Sequence, residues 1–421
     1  MKTLILLICL TLAATAPAAP SPQAPVLTLK TGDRVAFIGD TFVERDQVAD
    51  YIQTMLLSRF PGQDVTFRNL GYSADTATGE ARGLCTGWST FESADQGFGR
   101  LVKLVAGYKP TVMLINYGMT ESFGGARELP QFVENYTKML DVLSSAAGTS
   151  PRLVLMSPNY HEDMGRPLPD PAEHNKNLEL YSRAIAAIAA SRSAHFVDLF
   201  MLTKEAGKQG PLTSNGIHLT PYGYWRTALE LERGLGYPPR EWSVNIGTSP
   251  QDKRAAAATF TKVSNAKQSP TGASFTTTDE MLSPPPPPQG APRSILDGSA
   301  ALPGDRRTLY IVGLRPGKYA LKAGDSVIAR ATAGQWAAGV QIAPPAQVET
   351  LRHLLVAKDF DFFNYQRPEN DSYLLAFRKG EQGRNAVEIP RFLPLVEKKD
   401  KQAAALCVPH AVTYTLQAVG G

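Results

Sequence analysis

Short β-prone runs alternate with longer helical runs from Leu27 to about Tyr237, and this alternation constrains the fold more than any other feature. The β-prone runs are almost continuously apolar, which is typical of strands buried on both faces. We therefore predict a parallel sheet with helices on both sides. The predicted strands are Arg34–Ile38, Val65–Leu70, Thr111–Tyr117, Arg152–Ser157 and His195–Phe200.

Apolar residues at helical spacing predict five helices between and after these strands. The first is predicted within residues 46–62, "DQVADYIQTMLLSRFPG", and Pro61-Gly62 ends it. The others are centred on 101–105, 132–143, 178–188 and 222–235. Ligands in sheets of this kind bind beyond the carboxyl ends of the strands. The loops that follow the strands are therefore where we expect a functional site.

The chain has 421 residues, too many for one typical domain, and its character changes after about Arg240. We predict an α/β domain over 24–240, a small β-rich unit over 241–345 and a C-terminal helical and loop extension over 346–421. Five prolines, Pro284–Pro288, form a stiff spacer or an edge within the second unit. The extension opens with an amphipathic pattern, "AQVETLRHLLVAKDF".

The first 18 residues have the pattern of a secretory signal peptide. Lys2 precedes an apolar run, Leu4–Leu12, and small residues surround Ala16 and Ala18. The run is too short to span a bilayer, and no later segment is apolar enough to do so. We expect an exported protein, periplasmic or extracellular, with no membrane span.

Two cysteines follow the predicted leader, Cys85 and Cys407. They form either one disulfide or two free buried thiols, and the second outcome is the commoner for cysteines so far apart. No metal-ligand spacing such as CxxC or HExxH is present, so we expect neither a metal nor a cofactor. The net charge of +4 is spread without basic blocks, which does not favour nucleic acid as a partner. The oligomeric state is open.

Four segments at the predicted carboxyl edge carry side chains and amides suited to catalysis. They are Gly39–Thr41, "RNLGYSADT" over Arg68–Thr76, "NYGMTESF" over Asn116–Phe123, and "SNGIHLTPYGYW" over Ser214–Trp225. Together they bring a hydroxyl, a histidine and loop amides to one edge. These are the parts of acyl-transfer chemistry: a nucleophile, a general base and oxyanion donors.

In these four segments the chain resembles the SGNH/GDSL hydrolases (esterases and lipases), and specifically a divergent branch of secreted bacterial proteins with a C-terminal extension. The resemblance runs from about Asp33 to Leu235. It implies a three-layer α/β/α flavodoxin-like sheet, the SGNH hydrolase fold. It also implies hydrolysis of ester bonds in a small molecule or carbohydrate, with carbohydrate O-acyl esters as one substrate class.

The resemblance assigns roles to five residues, and several of them depart from the family pattern. The nucleophilic Ser matches Thr41, the base matches His218, and the Asp that orients the base matches Asn215. The oxyanion hole would use the amides of Thr41 and Ala74, with the Thr120 hydroxyl in place of an Asn side chain. Three changed side-chain roles predict an attenuated ester hydrolase. The alternative is a non-catalytic module that binds a glycan or peptide.

Several residues have a second interpretation. Thr41 and Glu44 fit a T-x-x-E capping box, in which Thr41 only caps a helix. His161 and His174 rim the cleft or lie at the surface, the commoner place for such residues. A polar cluster in the extension forms a lid over the cleft or, more commonly, a salt-bridged docking surface; its members are Arg367, Arg378, Glu381 and Asn385. Asn116 lies within a predicted strand and does not replace the Asn missing at Thr120.

Overall fold

The computed structural model describes residues 27–84, 94–247, 258–296, 306–368 and 379–419. The predicted leader over 1–18, Cys85 and Arg378 lie outside these ranges. The helices are α1 (Thr41–Asp46), α2 (Tyr51–Ser58), α3 (Glu80–Leu84), α4 (Ala94–Tyr108), α5 (Gly125–Ala147), α6 (Ala172–Ser191), α7 (Leu199–Ala206), α8 (Pro221–Gly234), α9 (Arg293–Leu296), α10 (Ala333–Ala338), α11 (Gln347–Asp361), α12 (Lys379–Gln382) and α13 (Leu393–Leu406). Within the described ranges, no helix combines the length and hydropathy of a membrane span.

A five-stranded parallel sheet forms the centre of the α/β domain, as predicted. Its strands are β1 (Arg34–Gly39), β2 (Thr66–Asn69), β3 (Val112–Asn116), β4 (Arg152–Met156) and β5 (His195–Val197), in the order β2-β1-β3-β4-β5. This is the flavodoxin-like order, whose switch point lies between β1 and β3. Gly39 pairs with Asn116 at the ends of these two strands, so the loops after them are adjacent.

Successive residues of each strand point to opposite faces of the sheet, and each face is covered by its own helices. On β3, Val112 and Leu114 pack into a core shared with α2 and α8, whereas Met113 and Ile115 pack into a core shared with α4, α5 and α6. All four side chains are buried. The domain is therefore a three-layer α/β/α structure.

Three local predictions are wrong. The helix predicted within 46–62 begins only at Tyr51, because residues 47–50 form a turn in which Asp50 adopts a left-handed conformation (φ 53°) between α1 and α2. The strand predicted to reach Phe200 ends at Val197, because Asp198 accepts a hydrogen bond from the amide of Met201 and so caps α7. The pattern "WAAGVQIA" predicts a strand, but its first half belongs to α10, which a Thr332–Gln335 capping box starts.

The β-rich unit contains two further sheets. One has the order β13-β10-β6-β7 and the other β12-β11-β14-β9-β8. Their strands are β6 (Trp242–Ile246), β7 (Ala258–Thr259), β8 (Thr261–Ser269), β9 (Gly272–Asp279), β10 (Arg307–Ile311), β11 (Lys318–Ala323), β12 (Ser326–Thr332), β13 (Val340–Gln341) and β14 (Val412–Ala418). Gly324-Asp325 turns β11 into β12 as predicted. The last strand comes from the segment assigned to the extension and lies between β9 and β11.

The extension packs on the α/β domain through buried polar contacts. Arg68 on β2 makes a bidentate ion pair with Asp400 on α13, with distances of 3.1 and 2.7 Å. Lys358 on α11 donates to the Gln53 side chain at 3.0 Å. Cys407 at the end of α13 is a buried free thiol, and burial raises its pKa to about 12. These contacts place the extension behind the loop that follows β2.

The proline run packs against the α/β domain. The indole N–H of Trp225 on α8 donates to the carbonyl of Pro285 at 2.9 Å, and both residues are buried. The amide of Leu282 donates to the carbonyl of Ser58 at the end of α2. The link between the α/β domain and the β-rich unit is therefore ordered by specific contacts.

Candidate active site

Loops after β1, β2 and β3, with the loop before α8, surround a cavity of about 180 Å³. Four of the five predicted site residues line it: Thr41, Ala74, Thr120 and His218. The fifth, Asn215, lies behind His218 and contacts its ring. The remaining wall is mostly apolar and includes Phe42, Met119, Ile217, Leu219, Phe123 and Tyr224. A cavity of this size accepts a short acyl group.

Thr41 does not cap the first helix, so the predicted capping box is wrong. Asp40 is the N-cap, and its side chain accepts from the amide of Phe42 at 3.1 Å. Glu44 instead accepts from the hydroxyl of Ser73 at 2.8 Å. Thr41 Oγ1 accepts the amide N–H of Ala74 at 2.7 Å. The Ala74 amide is therefore directed at the Thr41 hydroxyl oxygen, and this contact does not use the hydroxyl proton.

Ala74 adopts a left-handed conformation, with φ of 57°. A residue with a Cβ is strained there by about 1 kcal/mol, which glycine would avoid. Buried contacts hold the loop in place: Arg82 donates to Asp75 at 2.6 Å, and Tyr117 donates to the same carboxylate at 3.1 Å. The strain is therefore compensated by the loop, and the amide of Ala74 stays directed at Thr41.

Arg367 of the extension supports the same loop. Its guanidinium donates to the carbonyls of Asn69 and Gly71 at 3.1 and 2.9 Å, and the side chain is buried. This is a docking contact to backbone oxygens, not a lid over the cavity. Of the other cluster members, Glu381 and Asn385 are exposed. The sequence could not indicate the partners of Arg367, because they are backbone carbonyls, which every residue has.

Thr120 stands at the start of a short 3₁₀ turn, and its side chain makes no capping hydrogen bond. Its hydroxyl is shorter than the Asn side chain it replaces. Asn116 does not compensate, because its amide donates to the carbonyl of Ser157 at 2.7 Å. The amide side chain that the resemblance requires as an oxyanion donor is therefore absent at position 120, and Asn116 does not supply it.

Two carboxyl groups flank the cavity: Asp40 lines it, and Glu121 directly follows Thr120. Glu121 accepts the amides of Ala77 and Gly118 at 2.9 and 3.0 Å, so it ties the second and third loops together. Burial raises its pKa to about 7. Burial, with further contributions from Glu121 and Asp75, raises the pKa of Asp40 to about 8. Asp40 is therefore largely neutral at pH 7 and adds little negative charge to the cavity wall.

Asn215 determines the proton position on His218. The amide oxygen of Asn215 accepts the backbone N–H groups of Ile217 and His218 at 3.2 and 2.9 Å. Its NH₂ group must then face the His218 ring, and it donates to Nδ1 at 3.0 Å. A neutral imidazole that accepts at Nδ1 carries its proton on Nε2.

This tautomer is the wrong one for a base that acts through Nε2. To accept the proton of Thr41 there, the ring would need its own proton on Nδ1, where it would oppose the N–H of Asn215. A carboxylate at this position reverses the arrangement, because it accepts from Nδ1–H. In the serine-protease template, the Asp→Asn change lowers kcat by about 10⁴-fold for this reason.

Arg45 also acts on His218. Burial, and after it the positive charge of Arg45, lower the pKa of the imidazole. Arg45 lies in α1, is exposed, and lines the cavity.

We expect Arg45→Gln to raise the His218 pKa, so that the ring binds its second proton at higher pH. An NMR titration of the ring measures this shift. Arg330→Gln, the same charge change on β12, is the control and should leave the titration unchanged.

His161 and His174 are buried, so the commoner expectation of a surface position is wrong. Their Nδ1 atoms are 2.8 Å apart, and His174 Nε2 lies 2.8 Å from the Ser122 hydroxyl. Burial and the neighbouring His161 lower the pKa of His174 to about 4, so the pair is neutral near pH 7. The network joins the loop after β3 to the loop that follows β4. It serves to position these loops.

Glu162 clamps the loop before α8, and nothing in the sequence indicated this. It accepts the amides of Leu212 and Thr213 and also the Thr213 hydroxyl. Gly216 in this loop has φ of 94°, and a Cβ there would lie 2.9 Å from the Glu162 carbonyl oxygen. These contacts hold the loop in the conformation in which Asn215 faces His218. In the described part of the chain, no group of three or more His, Cys, Asp or Glu side chains could hold a metal ion.

The fold is of the flavodoxin-like α/β type, and its loops bring a hydroxyl, a histidine and a backbone amide to one cavity at the carboxyl edge of the sheet. Residues 34–226 match the model of the GDSL-like lipase/acylhydrolase family, and this part of the chain is an SGNH/GDSL-type ester hydrolase domain. None of the curated proteins matches the sequence.

One similar solved structure covers nearly the whole chain and supports the fold. It is a gut microbial diltiazem-metabolizing enzyme, 17% identical, with a TM-score of 0.69 over 94% of this chain and 99% of that one. Two others match half of the chain. A catalytic mutant of an acetylxylan esterase from Geobacillus stearothermophilus is 20% identical, with a TM-score of 0.38 over 50% of this chain and 97% of that one. A protein described as a putative GDSL-like lipase, from Parabacteroides merdae, is 14% identical, with a TM-score of 0.41 over 50% and 99%.

Proposed function

We propose that the protein hydrolyses esters of short acyl groups, with Thr41 as nucleophile and His218 as general base, at a rate that Asn215 attenuates. The observation that carries this proposal is the contact between Thr41 Oγ1 and the Ala74 amide, which brings a hydroxyl and an oxyanion donor together in a small cavity. The ester carbonyl would enter with its oxygen towards the amides of Thr41 and Ala74. Thr41 is a secondary alcohol, so it attacks more slowly than a Ser would.

His218 and Asp40 have separate parts in this mechanism. His218 takes the Thr41 proton as the acyl-enzyme forms and returns one to the leaving alcohol. Water then hydrolyses the acyl-enzyme by the same route. The neutral form of Asp40 favours the oxyanion, because an ionised carboxylate in the wall would repel it. The weak step is proton transfer to Nε2, for which His218 must first change its tautomer.

The test is hydrolysis of 4-nitrophenyl acetate by the purified protein beside Thr41→Ala and His218→Ala. We expect slow turnover that both changes reduce to the background rate. Because Asn215 has already lowered the starting rate, the measured fall is only about tenfold to a hundredfold. Turnover that is indifferent to both changes would remove Thr41 and His218 from the mechanism.

We further propose a carbohydrate as the alcohol part of the substrate. Phe123 lines the cavity and is 62% exposed, while its ring stacks on His174 at 3.8 Å between centroids. An exposed aromatic face held in this way suits the apolar C–H face of a sugar ring. Export, which residues 1–18 predict, is part of the proposal because it brings the protein to extracytoplasmic polysaccharides.

Phe123→Ala tests the carbohydrate proposal. We expect the KM for an acetylated oligosaccharide to rise about two- to tenfold, the usual worth of one aromatic contact. The KM for 4-nitrophenyl acetate, which has no sugar, should stay unchanged. Phe360→Ala removes a similarly exposed ring on α11 and is the control. If Phe123→Ala changed the KM for both substrates equally, the ring would have only a structural role.

The second candidate function is binding without catalysis, to a glycan or peptide. The hydrogen bond from Asn215 to His218 Nδ1 favours it, because a purely binding site does not need a base. Under this proposal the cavity still recognises an acyl group, and Thr41→Ala changes affinity instead of rate. Titration with an acetylated oligosaccharide, in parallel with the turnover assay, distinguishes the two functions.

A further inference from the structure

Asn215 and Gly216 form the one Asn-Gly dipeptide in the sequence. In such a pair the Gly nitrogen can attack the Asn Cγ, because Gly has no Cβ to obstruct the approach. The attack forms a five-membered succinimide and releases ammonia, and water then opens the ring to a carboxylate. Every other Asn in the chain precedes a residue with a side chain.

The attacking nitrogen has a route for its proton. The N–H of Gly216 donates to Thr213 Oγ1 at 3.0 Å, and the Thr213 hydroxyl donates to the Glu162 carboxylate at 2.5 Å. The hydroxyl can pass its proton to Glu162 while it takes the proton of the Gly216 nitrogen. Removing that proton is what turns an amide nitrogen into a nucleophile.

The attacked group is polarised by its surroundings. The Asn215 oxygen accepts the N–H groups of Ile217 and His218, so these two donors would stabilise the negative charge that the addition places on this oxygen. Asn215 is exposed, so water and a path for ammonia are available. The same loop thus contains a nucleophile, a proton acceptor and an oxyanion site.

We propose that Asn215–Gly216 is a self-processing site, at which Asn215 is converted to an aspartate and supplies the carboxylate that the acyl-transfer site lacks. A C–N bond forms between Asn215 Cγ and the Gly216 nitrogen. The Cγ–Nδ2 bond breaks, and the proton lost by Gly216 leaves with the ammonia. One water then adds at Cγ, which restores the backbone N–H and leaves a side-chain carboxylate. No oxidant or cofactor is required.

The product corrects the tautomer of His218. One oxygen of the new carboxylate keeps the two backbone N–H donors that now bind the Asn215 oxygen, and the other replaces the NH₂ group that faces Nδ1. The ring then carries its proton on Nδ1 and accepts at Nε2. Opening of the succinimide at the backbone carbonyl would instead give isoaspartate, which displaces the carboxylate. The donors that polarise Cγ favour the aspartate product.

This inference depends on the proposed ester hydrolysis, and one experiment separates the two. Freshly purified protein is incubated at neutral pH for days, and samples are analysed by peptide mapping and by 4-nitrophenyl acetate hydrolysis. We expect a mass gain of about 1 Da at position 215, with aspartate as the main product. Activity should rise in proportion to the aspartate fraction, towards that of Asn215→Asp, which should show no lag. Asn215→Gln should stay unchanged in mass and slow.

Thr213→Val tests the proton route, and we expect it to slow the conversion severalfold. Thr213→Val combined with Asn215→Asp is its control, because retained activity shows that the loop keeps its shape. An intact Asn215, or isoaspartate as the main product, would overturn the inference, and an active Asn215→Asp would then leave ester hydrolysis standing. Conversion to aspartate with no gain in activity would overturn the activating role of the conversion. If Asn215→Asp were inactive as well, the proposed ester hydrolysis would also be overturned.

Discussion

Asn215→Asp is expected to raise kcat/KM for 4-nitrophenyl acetate by about 10²- to 10⁴-fold over freshly purified native protein. The two backbone N–H groups that now bind the Asn215 oxygen would bind one carboxylate oxygen. The second oxygen would accept a proton from His218 Nδ1, so Nε2 becomes free to take the Thr41 proton. The carboxylate also stabilises the imidazolium that forms during attack.

Ser214→Asp is the matched control, because it adds the same charge one residue earlier in the same loop. Ser214 is exposed, and its hydroxyl lies near the carbonyl of His218, not near the ring. We expect no gain from it. An Asn215→Asp protein that is no faster than the native one would mean that the tautomer of His218 does not limit the rate.

Thr120→Asn in the Asn215→Asp background is expected to raise kcat by a further factor of about 10² to 10³, the usual effect of one oxyanion donor on kcat. Thr120 lines the cavity and its hydroxyl is not used as a cap, so an amide placed there can turn towards the oxyanion. The gain should appear in kcat more than in KM, because the donor acts on charge that develops in the transition state. Steady-state kinetics with 4-nitrophenyl acetate measure both.

Thr120→Val, which keeps the shape and removes the hydroxyl, is the control for this change. A small fall in kcat would show that the Thr120 hydroxyl already assists as a weak donor. If Thr120→Asn leaves kcat unchanged while Asn215→Asp raises it, then the backbone amides of Thr41 and Ala74 are a sufficient oxyanion hole.

The sheet could be predicted from the sequence because its signal is local. Residues 112–116 and 152–156 are mainly apolar, and short continuous apolar runs that alternate with longer helical patterns are typical of buried parallel strands. The break at Asp50 could not be predicted, because a left-handed residue between two helices depends on the tertiary contacts of both. Thr41 and Glu44 match the sequence pattern of a capping box, but Asp40 is the better-placed acceptor and accepts the hydrogen bond of the Phe42 amide.

The candidate site divides in the same way. The order of the four segments was enough to place Thr41, Ala74, Thr120 and His218 around one cavity, because parallel strands end at one edge. The tautomer of His218 could not be predicted from the sequence. It follows from the orientation of the Asn215 amide, which two backbone N–H groups determine. The clamp by Glu162 likewise depends on loops that are far apart in the sequence.

The proton position on His218 is the most direct test of the claim that Asn215 holds this site in an attenuated state. Nitrogen-15 NMR of the labelled native protein, freshly purified and with the His218 ring assigned by its loss in His218→Gln, reports which ring nitrogen carries the proton. We expect Nε2–H with an unprotonated Nδ1 in the native protein, and the reverse in Asn215→Asp. A native His218 that is protonated on Nδ1 would contradict the claim.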